Sequence, residues 1–177
     1  MLLQSEVLPQ RIQALVETGR RFVAVAAGDY HALALTDTGV VYGWGHGDAN
    51  GHRQEQRTPQ QVAALAGQRI TLVYAQDVSS CAVMENGELY TWGRDGLHLG
   101  HGHARTKLTP TRVEALRRVK VAAVAISNGH TLAADTDGVV WGFGERAAIG
   151  LGDADRPPGK HVVQPTPIPN LRVRTLP

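Results

Sequence analysis

The side chains with the most chemical potential in this sequence are its histidines, eight in 177 residues. Three crowd into the stretch His98-Leu99-Gly100-His101-Gly102-His103. Alternate imidazoles in a Gly-rich loop can bring two rings onto one cation such as zinc, but a closed site needs four ligands. No cysteine accompanies these rings and no carboxylate stands among them, so no metal site is read here and the three are expected on a loop. Gly28-Asp29-Tyr30-His31 reads as a turn, where an Asp carboxylate accepts nearby backbone N–H groups. Asp77 and His130 stand at corresponding points further along. Ser79, Ser80 and Cys81 offer three consecutive nucleophile types. An alternating strand pattern turns Cys81 inward as a small packing residue, and no base is spaced to activate the hydroxyls. Gly43-Trp44-Gly45-His46-Gly47 is Gly-rich but opens a loop rather than a helix, so it is no phosphate cradle. The pattern implies neither an enzyme nor a cofactor.

The elements that position these residues repeat. Phe22–Gly45, Thr71–Gly93 and Val121–Gly144 align without gaps of consequence. Gly39, Gly87 and Gly138 fall in phase, and Trp44, Trp92 and Phe143 follow, each with a Gly behind it. A Pro-led element precedes each copy, in Pro9-Gln10-Arg11-Ile12-Gln13-Ala14-Leu15, Pro59–Leu65 and Pro110–Leu116, and a further one starts at Pro167. Such a period is the mark of a repeat architecture. Each unit reads as four strands. Strand A is a run of small and β-branched residues ending near Ala27, Ala75 or Ile126. Strand B is His31–Thr36, Ser79–Met84 or His130–Asp135. A turn ending in Gly leads to strand C, which ends in the aromatic–Gly pair, and a long loop leads to the Pro-led strand D. The alternative for Pro9–Val16 is a helix.

Four short strands with one aromatic motif per unit predict an all-β fold of β-propeller blades. The residues also resemble a known family. Ala26-Ala27-Gly28-Asp29-Tyr30-His31-Ala32-Leu33-Ala34-Leu35 through Trp44-Gly45 is similar to the repeat signature of the regulator of chromosome condensation family. Trp92–Gly102 and Phe143–Asp153 are similar to its continuation. The second copy departs most, with Gln76 in place of the strand A Gly and Ser79 in place of the His. The expected layout is residues 9–15 as an isolated outer strand, 20–65, 69–116 and 119–171 as blades 1 to 3, and 172–177 as the start of a further repeat. A ring needs about four to eight blades, and the family resemblance implies seven. Three readings stand: a piece of a longer propeller, an arc that closes by assembly with another chain, or a short form that does not close.

Antiparallel connectivity puts A–B turns and C–D loops at one end and B–C turns at the other. At the first end fall His31, His46, His52, His98, His101, His103 and His130, with His161 in the third loop. Long loops on a rigid scaffold usually carry binding. The candidate partner-binding set is therefore Asp29, Tyr30, His31, Asp77, His98, His101, His103 and His130. The resemblance implies that Asp29 can serve as the acidic turn residue with which family members act on a Ran-like small GTPase. It equally allows Asp29 to organise its own turn and His31 and His130 to bridge blades. Arg21, Arg69 and Lys120 are in phase at the other end, a candidate basic face for nucleic acid or an acidic partner, with Asp37, Glu85, Asp135 and Asp137 placed to neutralise it.

Composition sets the bounds. Net charge is +2, too small by itself to imply nucleic acid, and the single Cys81 rules out an intrachain disulfide. No apolar run approaches the ~18 residues of a membrane span, and Glu6 interrupts the short apolar start, so an intracellular protein, cytoplasmic or nuclear, is expected. The sequence thus points to a non-catalytic protein-interaction scaffold. Nucleotide exchange on a Ran-like GTPase and chromatin or DNA association are the alternatives.

Overall fold

The computed structural model describes residues 9–94, 96–151 and 160–174. Twelve strands form three four-stranded antiparallel sheets. Blade 1 holds β1 (Phe22–Ala27), β2 (His31–Thr36), β3 (Val41–Gly45) and β4 (Gln56–Gln61). Blade 2 holds β5 (Ile70–Gln76), β6 (Ser79–Met84), β7 (Leu89–Gly93) and β8 (Lys107–Arg112). Blade 3 holds β9 (Val121–Ile126), β10 (His130–Asp135), β11 (Val139–Glu145) and β12 (His161–Arg172). Neighbours in sequence are neighbours in each sheet, so every blade is an up-and-down meander in the expected A–B–C–D order. The ring is not closed.

The B–C turn explains the in-phase glycines. Gly39, Gly87 and Gly138 take φ of +84°, +86° and +79°, a region that side chains with a Cβ rarely enter. At Gly39 a Cβ would also stand 2.9 Å from the Ile70 nitrogen of the next blade. That closeness serves a bond: Ile70 N donates to Gly39 O at 3.2 Å, and Val121 N donates to Gly87 O at 2.9 Å. Each B–C turn therefore anchors the first strand of the following blade.

The core lies between blades. One cluster joins Leu33, Leu35 and Val41 of blade 1 to Ile70, Val73, Ala82, Met84 and Trp92 of blade 2. A second joins Cys81, Val83 and Leu89 to Val121, Val124, Ala133 and Phe143. Each blade thus has a leading face, turned to the blade before it, and a trailing face, turned to the blade after it. Val140, Ile149, Leu151, Val162 and Ile168 form a smaller cluster in blade 3.

Three expectations need correction. Residues 9–15 do not form an isolated strand: 9–12 have no strand, and Gln13–Val16 is a single helical turn. An outer strand exists only against a strand C, and none of the described residues supplies one there. The equivalent turns, Ala63–Leu65 and Glu114–Leu116, are helical too, so the Pro-led motif is the end of a strand plus a turn. His161 opens β12 rather than lying in a loop. Of the expected further repeat, Arg172 belongs to β12, and 175–177 lie outside the described residues. Val173 does begin as that repeat would, since its N–H donates to Gly138 O at 3.0 Å.

Candidate interaction face

At the A–B and C–D end, each blade ties the start of its long loop to its own A–B turn. His46 N donates to Tyr30 O at 2.7 Å, Arg94 N to Val78 O at 3.1 Å, and Glu145 N to Gly129 O at 2.7 Å. The aromatic–Gly pair is needed for this, because a Cβ on Gly45 would run into the Tyr30 carbonyl. Adjacent turns are joined as well. Asp29 N donates to Asp77 O at 2.9 Å, and Asp77 holds φ at +49°, a conformation that Asp tolerates better than most residues.

Beneath the turns lies a polar seam between blades. Ser80 Oγ donates to Ala49 O at 3.0 Å, and Trp92 Nε1 donates to the same carbonyl at 2.6 Å. His31 Nε2 is 2.6 Å from Ser80 Oγ. With the hydroxyl proton on Ala49, His31 carries its proton on Nε2 and donates to Ser80. The seam recurs between blades 2 and 3, where Thr131 Oγ1 donates to His98 O at 2.9 Å. Phe143 stands there in the place of Trp92 and has no N–H to add. The His98 ring turns back to Ser79, with Nε2 2.9 Å from Oγ, so it occupies the neighbourhood of the missing strand B His.

These bonds sort the expected site residues. His31 and His98 are 5% and 3% exposed; they hold the blades and turns from within and present no ring to a partner. Burial drives the His31 pKa from 6.5 to about 4, against a smaller upward pull from Asp29 and with a further push down from His46. His101, half-buried, lies 3.0 Å from Thr91 Oγ1, whose own proton goes to Leu99 O. Its pKa also falls to about 4, because burial outweighs the Thr91 hydrogen bond, and Lys107 and His103 add repulsion. His103 Nδ1 accepts from Arg105 N at 3.2 Å, and the His101 and His103 rings are 6.2 Å apart. Among the described residues no three His, Cys, Asp or Glu side chains gather as a cation site. His130 is half-buried at the open side of blade 3, Asp77 is half-buried, and Asp29 is exposed. Tyr30 is 70% exposed.

The structure adds residues that the spacing did not reveal. Asp48 lies 3.5 Å from His46 Nδ1 and 3.4 Å from Arg94 Nε, which links the C–D loops of blades 1 and 2. Asn50, fully buried, donates to Gly45 O and Gln54 O and accepts from His52 N, so one side chain folds the first loop. The result is a fixed patch of Asp29, Tyr30, His46 and Arg94 across two blades.

At the opposite end, Arg21, Arg69 and Lys120 are exposed and share one register, since their carbonyls accept from Asp37 N, Glu85 N and Thr136 N. Val173 places Arg172 in the same register in a fourth position. Arg69 pairs with Glu85 at 3.0 Å, so part of this row is neutralised by its own turns.

Known proteins share this architecture. The regulator of chromosome condensation (RCC1) repeat family matches residues 86–134, and a second form of the repeat matches residues 22–54. The ultraviolet-B receptor UVR8 of Arabidopsis thaliana is 32% identical over 157 residues, covering 85% of this chain and 35% of the receptor. Human WBSCR16 superimposes with a TM-score of 0.73 at 28% identity, over 84% of this chain and 38% of that one. Prp20p from Saccharomyces cerevisiae, described with binding properties to Gsp1p and histones, superimposes with a TM-score of 0.70 at 26% identity, over 85% of this chain and 39% of its own. The chain therefore spans little more than a third of the length of these relatives. With three blades in one register, and the repeat matched in blade 1 and again from blade 2 into blade 3, the chain belongs to the regulator of chromosome condensation family of β-propeller repeat proteins.

Proposed function

We propose that the chain is a protein-interaction module that engages its partner with the loop face of blades 1 and 2, centred on Asp29 and Tyr30. The observation that carries this reading is the exposure of Tyr30, 70%, on a turn bonded from two sides. A large aromatic ring on a rigid support loses little entropy on binding, which is why Tyr recurs at the energetic centres of protein interfaces. Asp29 beside it, with His46 and Arg94, supplies a polar rim of both charge signs. The test is a photo-reactive residue placed at Tyr30, and separately at Lys120 on the opposite face, followed by identification of adducts from the native cell. The reading expects a discrete protein adduct from position 30 and none from position 120; the reverse would overturn it.

A second reading, nucleotide exchange on a small GTPase, is favoured by the likeness to Prp20p and its described binding to Gsp1p, with Asp29 as the acidic turn residue. Release of labelled nucleotide from Gsp1p in the presence of the chain tests it. A rate unchanged by the chain removes it, and a stimulated rate unaffected by Asp29→Ala removes Asp29.

A further inference from the structure

We propose that a cleft at the outer junction of blades 2 and 3 binds a phosphoserine or phosphothreonine side chain of a partner protein, at a site that shares no residue with the Asp29–Tyr30 patch. The cleft holds about 350 Å³. Its walls include His103 from the long loop of blade 2, Lys107 and Arg112 from β8, Glu114 and Arg117 from the turn after it, and Gln164 from β12. The loop is fixed to the next blade from below. Gly102 N donates to Val163 O at 2.9 Å. Gly102 itself, at φ +80°, lies so near Gln164 that a Cβ would stand 2.9 Å from Nε2. The cleft is therefore formed before any ligand arrives, which lowers the entropy cost of binding.

The charges of the cleft are of two kinds. Arg112 is fully engaged: Nε and Nη2 donate to the two Glu114 oxygens at 2.7 and 3.1 Å, and Nη1 donates to Glu88 at 2.9 Å. Lys107 and Arg117 make no salt bridge among the described residues. His103 adds a donor, because its Nδ1 accepts from Arg105 N and the neutral ring then carries its proton on Nε2. The fold does not require these charges. In the same register of blade 1, Gln56, Gln61, Ala63 and Ala66 stand where blade 2 has Lys107, Arg112, Glu114 and Arg117, and the same strand and turn form there. Two unpaired cations match a phosphate monoester, which carries about −1.5 to −2 charge at neutral pH and three acceptor oxygens. Donors from the loop, the strand and the turn suit that tetrahedral group better than a planar carboxylate with two oxygens. Among the described residues the lining holds no large apolar side chain, so an aliphatic phosphoester fits it better than a phosphotyrosine ring. A nucleic-acid backbone needs a row of cations, and here Glu88 and Glu114 stand beside the pair.

The test is binding of the full chain to three immobilised sets of degenerate peptides, which differ only in a central phosphoserine, serine or glutamate. The phosphoserine set is expected to retain the chain at least about tenfold more strongly than either other set. Lys107→Gln and Arg117→Ala each install the residue that blade 1 already holds at that point, so the fold is kept, and circular dichroism checks it. Each is expected to lower retention by at least about fivefold. Arg118→Ala removes the same charge from an exposed neighbour outside the lining and is expected to leave retention unchanged. No preference for the phosphoserine set overturns the proposal, and equal retention by the glutamate set overturns the phosphate. Loss in Arg118→Ala as large as in Arg117→Ala overturns the site in favour of net charge alone. Displacement of the phosphoserine set by oligothymidylate at lower concentration than by free phosphoserine overturns the protein partner in favour of nucleic acid.

Discussion

Replacing one valine at a time at a single repeat position tests how the blades are held. Val25, Val73 and Val124 face Ala34, Ala82 and Ala133 across the same strand pair. Their backbone surroundings match, and their exposures are 75%, 6% and 6%. Val→Ala removes two methyl-sized groups. At roughly 0.8 kcal/mol per buried carbon the lost transfer energy is about 1.5 kcal/mol, and the cavity left behind raises it to about 2 kcal/mol. Any strand-propensity difference is shared by all three sites and cancels in the comparison. Val73→Ala and Val124→Ala are therefore expected to cost about 2 kcal/mol each, and Val25→Ala less than about 0.5 kcal/mol. Urea unfolding followed by tryptophan fluorescence measures all three. If Val25→Ala destabilises as much as Val73→Ala, the argument from unpaired blade faces fails.

Two further outcomes follow from the seam. Trp92→Phe and Ser80→Ala are each expected to cost about 1 kcal/mol, and the pair more than their sum, because together they strip the buried Ala49 carbonyl of both donors; a double-mutant cycle that adds without excess contradicts this. The pH dependence has a definite sign. His31 titrates near 4 when folded against 6.5 when unfolded, so the unfolded chain binds the extra proton. Stability is then full above pH 6.5 and falls as pH drops towards 4, by up to ~3 kcal/mol from this residue. His31→Gln, which can still donate to Ser80, should flatten that part of the stability–pH curve, and an unchanged curve would remove His31 as its source.

Much of this fold is written in local sequence. Strand B falls where the in-phase repeat placed it in all three blades, and the B–C glycines are visible because a positive φ leaves few residue types to choose from. The Pro-led motif was harder to read. Its apolar residues suit a strand end or a helical turn, and only the presence of a strand C decides which. The histidines show why site residues are less legible than folds. His31 and His98 look alike as loop residues in a list of types, yet both are drawn inside by hydroxyls on strand B, one across a blade junction and one within a blade. Asp48 and Arg94 carry no motif, and their link appears only when two loops distant in sequence are folded side by side. Tyr30 stands out by exposure, a property that the alternation of a strand does not report once the chain has entered a turn.

The central claim, that partners are gripped at the Asp29–Tyr30 loop face, is tested most directly by affinity once the cross-linked partner is in hand. The chain, a Tyr30→Ala variant and an Arg69→Glu/Lys120→Glu variant are compared by titration calorimetry. Loss of a central aromatic anchor is worth about 2 kcal/mol, or roughly thirtyfold in Kd. The account predicts that weakening for Tyr30→Ala and little change for the charge reversals on the opposite face. Wild-type affinity in Tyr30→Ala, with loss in Arg69→Glu/Lys120→Glu, would contradict it.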